Sequence, residues 1–193
     1  FVLRLHEVAQ GYFEEDAKSY RRPIVAHKFH DNEDMLDSHT YNKAACVLHM
    51  VRFALGDDLW WKSIRHYVRR HAIANVETND FKEAIEEATG RNLDRFFDQW
   101  FYKAGHPDFE VSWKYDDKTK LVALTVNQKQ EVKDLTPLFS TPVDMELHVR
   151  GKARRERIEA SRPEQTFYFE TPAKPDMVLF DPDNWILKKL TFE

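Results

Sequence analysis

Apolar residues recur at spacings of three and four through the first hundred positions and at every second position after that, and the change falls at Gly105-His106-Pro107. The first spacing repeats along one face of an α-helix and the second along one face of a strand. The fold class is therefore α+β multidomain, with a helical region over residues 1–106 and a β region over 107–193. Leu3, Val8 and Phe13 predict a first helix that ends before Arg21-Arg22-Pro23, because proline disfavours helix for the residue ahead of it. A polar loop, His27 to Ser38, leads into a second helix from Tyr41 to Phe53 with Ala45, Leu48 and Val51 or Arg52 on successive turns, closed by Gly56. Asp57 or Asp58 can cap a third, which buries Trp60, Trp61, Ile64 and Tyr67 or Val68. Thr78 caps a fourth, with Phe81, Ala84, Ile85 and Ala88 inward and Gly90 past its end; a fifth, Leu93 to Lys103, buries Phe96, Phe97, Trp100 and Phe101. Short helices joined by tight turns make a bundle or solenoid-like subdomain.

Beyond Pro107, Phe109, Val111 and Trp113 alternate with polar residues, and Leu121 to Val126 continue the pattern. Further strands are predicted at Val143 to Val149, Arg155 to Ile158, Thr166 to Phe169, Met177 to Phe180 and Trp185 to Leu190, separated by Asp116-Asp117, Gly151 and proline-containing turns. This number of short strands in a region of that size predicts a small antiparallel β-sandwich.

Composition narrows the function. A formal net charge of -4, from 29 basic and 33 acidic side chains, offers no basic face for a phosphate backbone, so nucleic acid is not expected as a partner. No run of eighteen apolar residues is present, so no membrane span is expected. Cys46 is the single cysteine and lies in an apolar run, which predicts a buried, inert thiol and a reducing, cytoplasmic setting. Phe1 to Leu5 lack an initiator Met and read as the interior of a helix, so the chain is expected to be a piece of a longer protein whose targeting signals, if any, lie upstream.

Few spacings suit catalysis. The nine histidines include no HExxH pair and read as solvated or capping side chains, and neither a glycine-rich phosphate loop nor a GxSxG elbow occurs. The acidic stretch Asp31 to Asp37 lacks the spaced oxygens and central glycine of an EF-hand and reads as a solvated loop. What remains is Tyr41, at a helix start directly after the polar loop. By itself such a tyrosine commonly packs its ring and leaves its hydroxyl in water.

The words around Tyr41 point further. Asp37-Ser38-His39-Thr40-Tyr41-Asn42-Lys43-Ala44-Ala45, followed by an apolar helix, resembles the segment that bears the catalytic tyrosine in the aminopeptidase N-like zinc metallopeptidases, the gluzincins. The likeness continues in order through Leu55-Gly56-Asp57-Asp58, Asn75-Val76, Thr78-Asn79-Asp80-Phe81, Phe97-Asp98-Gln99-Trp100 and Gly105-His106-Pro107, and upstream through Asp16 to Ser19 and Arg22-Pro23-Ile24. Ala44 stands where the family usually has glycine. The resemblance implies that residues 1–106 are the C-terminal helical part of a thermolysin-like catalytic domain and 107–193 the β-sandwich that follows it. It implies that the zinc ligands, HExxH and a further glutamate, belong to an upstream catalytic segment, and that this chain alone binds no metal and is inactive. In the full-length enzyme zinc would polarise the scissile carbonyl of a peptide substrate's N-terminal residue, the HExxH glutamate would deprotonate the bound water, and Tyr41 would be the catalytic hydroxyl that stabilises the oxyanion. A phenol with an ordinary pKa near 10 keeps its proton at neutral pH and can donate to that charge. The alternative is a non-catalytic scaffold or interaction subunit with the same fold.

Overall fold

Helix α1, Val2–Lys18, and helix α2, Ala44–Leu55, each bury aromatic or apolar side chains: Tyr12 and Phe13 from the first, Cys46, Val47, Met50, Val51 and Leu55 from the second. This computed structural model describes residues 2–132 and 136–193, in two units, Leu3–Gly105 and His106–Glu193. Phe1, placed by the sequence in the first helix, lies outside the described residues. The inner stripe of α2 differs from the expected one: Ala45 is exposed and Leu48 half-buried, while the fully buried Lys43 begins the stripe. Hydrophobic pattern alone sets a lysine outside, and that displaced the predicted face.

Gly56 joins α2 directly to α3, Asp57–Arg70, with φ 78° and ψ 161°, a conformation open essentially to glycine. It occupies the N-cap position expected of Asp57 or Asp58, and Asp57 instead pairs with Arg52, Nε to Oδ1 2.7 Å. Trp60 and Tyr67 turn toward Phe81 of α4, Thr78–Thr89, with ring centroids 6.5 and 5.1 Å apart. Trp61, expected inside, is exposed, because α3 packs on one side only and its fully buried residue is Ser63; of the alternatives Tyr67 and Val68, Tyr67 is the one turned inward. Helix α4 is capped one residue earlier than predicted, at Glu77, whose N–H donates to Asp80 Oδ2 at 2.7 Å.

The last helical segment is α5, Asp94–Phe97, continued by a wide π-type turn, Asp98–Tyr102, that buries Trp100 and Phe101. Phe97 and Phe101 stack at 4.4 Å between centroids. Each aromatic or aliphatic side chain fully removed from water contributes roughly 1.5–3 kcal/mol relative to its exposed state. The backbone of this turn is tied to the segment after Pro23 by Val25 N–H donating to Phe101 O at 3.0 Å.

In the second unit two sheets form in the orders β5-β2-β1-β7 and β4-β3-β6. Their strands are β1 Asp108–Asp116, β2 Leu121–Gln128, β3 Thr141–Val149, β4 Lys152–Ala160, β5 Glu164–Glu170, β6 Met177–Phe180 and β7 Lys189–Phe192. Alternate residues point inward, Phe109 and Val111 on β1, Val122, Leu124 and Val126 on β2, Val143, Met145 and Leu147 on β3. The rings of Phe109 and Phe180 meet across the two sheets at 5.4 Å. Arg150 and Gly151, both with positive φ (50° and 73°), make the two-residue hairpin between β3 and β4 and set Val149 opposite Lys152. Pairing is antiparallel except for β7, which runs parallel to β1 with Asp108 opposite Lys189. The final strand also begins later than the alternation suggested. Asp181 accepts hydrogen bonds from the N–H groups of Trp185 and Ile186 at 2.8 and 2.9 Å, which holds those residues in a turn and buries Ile186 and Leu187 outside the ladder.

Candidate functional site

Tyr41 is the middle residue of a wide π-type turn, His39–Lys43, that precedes α2. The turn is defined by Lys43 N–H donating to Ser38 O at 2.8 Å, five residues back, while Asn42 N–H shares the same carbonyl at 2.9 Å. Its two ends, His39 and Lys43, are both 0% exposed, whereas Tyr41 between them is 60% exposed. The geometry therefore anchors the turn at both ends and projects a phenol outward from its centre. The sequence predicted the helix to start at Tyr41; the turn adds His39 and Thr40 ahead of it.

Asp37 organises the N-terminal end. The Arg22 guanidinium meets it with two nitrogens, Nε to Oδ2 at 2.9 Å and Nη2 to Oδ1 at 2.5 Å, and Nη2 also donates to Thr40 Oγ1 at 2.7 Å. Tyr20 donates its hydroxyl to Asp37 Oδ2 at 2.7 Å, and Thr40 N–H donates to Oδ1 at 2.9 Å. Burial pushes the Asp37 carboxyl up, but the hydrogen bonds from Arg22, Thr40 and Tyr20 outweigh it and hold it down at about 2. The bond to Asp37 conversely pushes the Tyr20 phenol up to about 12. A layer deeper, Asp16 pairs in the same way with Arg21, Nε to Oδ2 at 2.9 Å and Nη2 to Oδ2 at 2.6 Å.

His39 lies between aromatic rings, stacked on Tyr20 at 5.3 Å and edge-on to Tyr12 at 5.4 Å. Its Nδ1 is 3.2 Å from Asp37 Oδ2, and its Nε2 has no hydrogen-bond partner, with Asp16 Oδ1 3.6 Å away. Of the histidines, expected to be solvated or capping, His27 and His30 are exposed, whereas His39, His49 and His106 are buried. A helix start next to two carboxylates and two tyrosines makes a polar niche that spacing along the chain does not reveal.

At the other end, Lys43 Nζ donates to Lys103 O at 3.0 Å and lies 5.9 Å from the centroid of the Tyr12 ring. Burial pulls its pKa down to about 7, against the opposing pull of Asp16. Cys46, three residues on, is buried as expected, and burial raises its thiol to about 11. From α1, Gly11 closes on this turn so tightly that a Cβ there would stand 2.6 Å from Asn42 Nδ2.

Glu15, Asp37 and His39 bring one potential metal-ligating atom each to within 4.8 Å of one another. The set does not fit zinc. Both Asp37 oxygens are taken by the Arg22 guanidinium, and Glu15 Oε2 accepts the Ser38 N–H at 3.0 Å. A zinc-bound carboxylate needs a free oxygen about 2 Å from the ion, and a dication here would sit against a guanidinium already bonded to the same carboxylate. The carboxylates are committed to structural hydrogen bonds within the helical unit. Among the described residues no helix is long and apolar enough to cross a membrane.

The chain thus joins a helical unit, with an outward phenol on a doubly anchored turn, to a following unit of two small, mainly antiparallel sheets. Residues 3–100 match the family model described as the Peptidase family M1 domain, and the chain belongs to that family. It is 31% identical over 121 residues to the puromycin-sensitive aminopeptidase of Caenorhabditis elegans, an alignment that takes in 62% of this chain and 13% of that protein. To the leucyl aminopeptidase of Saccharolobus solfataricus it is 27% identical over 164 residues, 83% of this chain and 20% of the relative. The fold is shared with the aminopeptidase A of Legionella pneumophila crystallised with aspartic acid, at a TM-score of 0.75 and 19% identity over 89% of this chain and 20% of that one. The chain thus spans about a fifth or less of the length of these relatives.

Proposed function

We propose that this chain belongs to a zinc aminopeptidase that removes N-terminal residues from peptides, and that Tyr41 supplies the hydroxyl that stabilises the oxyanion of the tetrahedral intermediate. Residues 1–106 contribute the helical end of the catalytic domain and 107–193 the β-sandwich domain. The observation that carries the reading is the outward phenol of Tyr41, on a turn anchored at both ends, in a chain of the Peptidase family M1. An oxyanion donor works by being held in place before charge develops, so that no reorganisation accompanies the reaction. His39 and Lys43, buried on either side, hold the backbone that carries the phenol.

The 193 residues contain no HExxH sequence, and the Glu15, Asp37 and His39 cluster is committed to Arg22 and Ser38. Zinc would be held by other residues of the full-length protein, and this chain alone is inactive. The test is hydrolysis of a panel of aminoacyl chromogenic amides by the full-length protein, with and without a zinc chelator, beside the 193-residue chain. Chelator-sensitive cleavage by the full-length protein, with none by the chain alone, supports the proposal. A zinc-loaded full-length protein without activity points instead to a scaffold of the same fold.

A further inference from the structure

Lys43 is not explained by the proposed chemistry. A lysine that is 0% exposed, with one hydrogen-bond acceptor among the described residues and the face of a tyrosine ring beside it, burdens a fold, since an ammonium loses most of its hydration for little return. The acceptor is a main-chain carbonyl sixty residues away, just past the π-type turn Asp98–Tyr102. The bond therefore joins the two wide turns of the helical unit, one bearing Tyr41 two residues before Lys43, the other packed into the core by Trp100 and Phe101.

The geometry points to Lys43 as a positioning residue for Tyr41: by holding the end of the His39–Lys43 turn to the Lys103 carbonyl, it fixes the direction in which the phenol projects. The turn's other end is fixed independently, through Asp37 and Arg22, so releasing Lys43 frees one end only and leaves the turn able to rotate about the other. Gly11 and Tyr12 of α1 form a close floor beneath the turn, so a relaxed turn moves outward, in the direction of Tyr41. An apolar side chain of equal length would pack in the same space without the tether, so a purely structural role and a positioning role give opposite results.

This inference rests on the oxyanion role of Tyr41, and the experiment separates the two. Tyr41→Phe, Lys43→Met, Lys43→Gln and the double variant Tyr41→Phe/Lys43→Met are made in the full-length enzyme and compared by kcat, KM and thermal unfolding. Lys43→Met is expected to match or exceed the wild type in stability while kcat falls about ten- to a hundredfold at little-changed KM, the scale of loss from a displacement of about 1 Å. Lys43→Gln, which restores an N–H donor without a charge, is expected to recover some of the loss, and the double variant to be no slower than Tyr41→Phe alone. Wild-type kcat in Lys43→Met, or equal kcat in the Met and Gln variants, overturns the tether. Should Lys43→Met not fold, Lys43→Leu takes its place in the comparison with Gln. If Tyr41→Phe leaves kcat unchanged, the oxyanion reading fails; if it lowers kcat while Lys43→Met does not, the tether alone fails.

Discussion

Arg22 and Asp37 form a two-pronged ion pair, with side chains only 13% and 7% exposed, fifteen residues apart in sequence and directly beneath the turn that carries Tyr41. The pair replaces water for both groups, and Tyr20 and Thr40 complete the shell of the carboxylate. Removing one partner leaves the other buried without compensation. Arg22→Ala is expected to destabilise the helical unit by about 3–5 kcal/mol, measured by urea unfolding at neutral pH.

The same pair sets an acid limit. Asp37 releases its proton more readily in the folded chain, at about 2 against an ordinary value of 3.8, so the unfolded chain binds more protons between those values. The stability Asp37 contributes is present above the upper value and is lost as the pH falls toward the lower. In Arg22→Ala this component of the acid dependence is expected to flatten, which unfolding midpoints between pH 2 and 5 would record; an unchanged slope argues against Asp37 as its source.

Lys43 works in the other direction. Its folded value of about 7 lies below the ordinary 10.5, so the cost of its buried charge is complete below pH 7 and fades as the pH rises toward 10.5. Lys43→Met is expected to raise stability by on the order of 1–4 kcal/mol at neutral pH and below, an advantage that shrinks at alkaline pH. A pH-independent difference between the two proteins rules out the titration of Lys43.

Tyr41→Phe removes a hydroxyl from an exposed side chain, so its effect on unfolding is expected to stay within about 0.5 kcal/mol. Under the proposed oxyanion role the same change in the full-length protein is expected to lower kcat by about 10²–10³ with a much smaller change in KM. An unaltered kcat removes Tyr41 from the mechanism.

In the β unit, Asp181 is a single point of failure. Its carboxylate, 0% exposed, takes the N–H groups of Trp185 and Ile186 and the Lys188 ammonium, and its own N–H donates to Asp144 O at 2.8 Å. Asp181→Ala strips the three partners of the carboxylate at once, leaving the main-chain bond to Asp144 in place, and puts a Cβ without a local acceptor at φ 50°. A loss of about 3–5 kcal/mol is expected, read by thermal unfolding, with Asp181→Asn losing less because asparagine tolerates that backbone conformation.

The sequence by itself located most of the helices and strands, the buried thiol of Cys46 and the family resemblance around Tyr41, because hydrophobic period and turn residues act over a few positions. Those local signals also placed β3 and β6 closely, at Thr141–Val149 and Met177–Phe180. Tertiary structure decided what local pattern ranks wrongly. His39 reads as solvated or capping, yet it and Lys43 are buried because Lys103, Tyr12, Tyr20 and Asp16 come from other segments to receive them. Trp61 is apolar and reads as core, yet it is exposed because α3 meets α4 through its other face, by Trp60 and Tyr67. Whether a charge is inside depends on partners that only the folded chain assembles, and the direction of Tyr41 follows from that assembly.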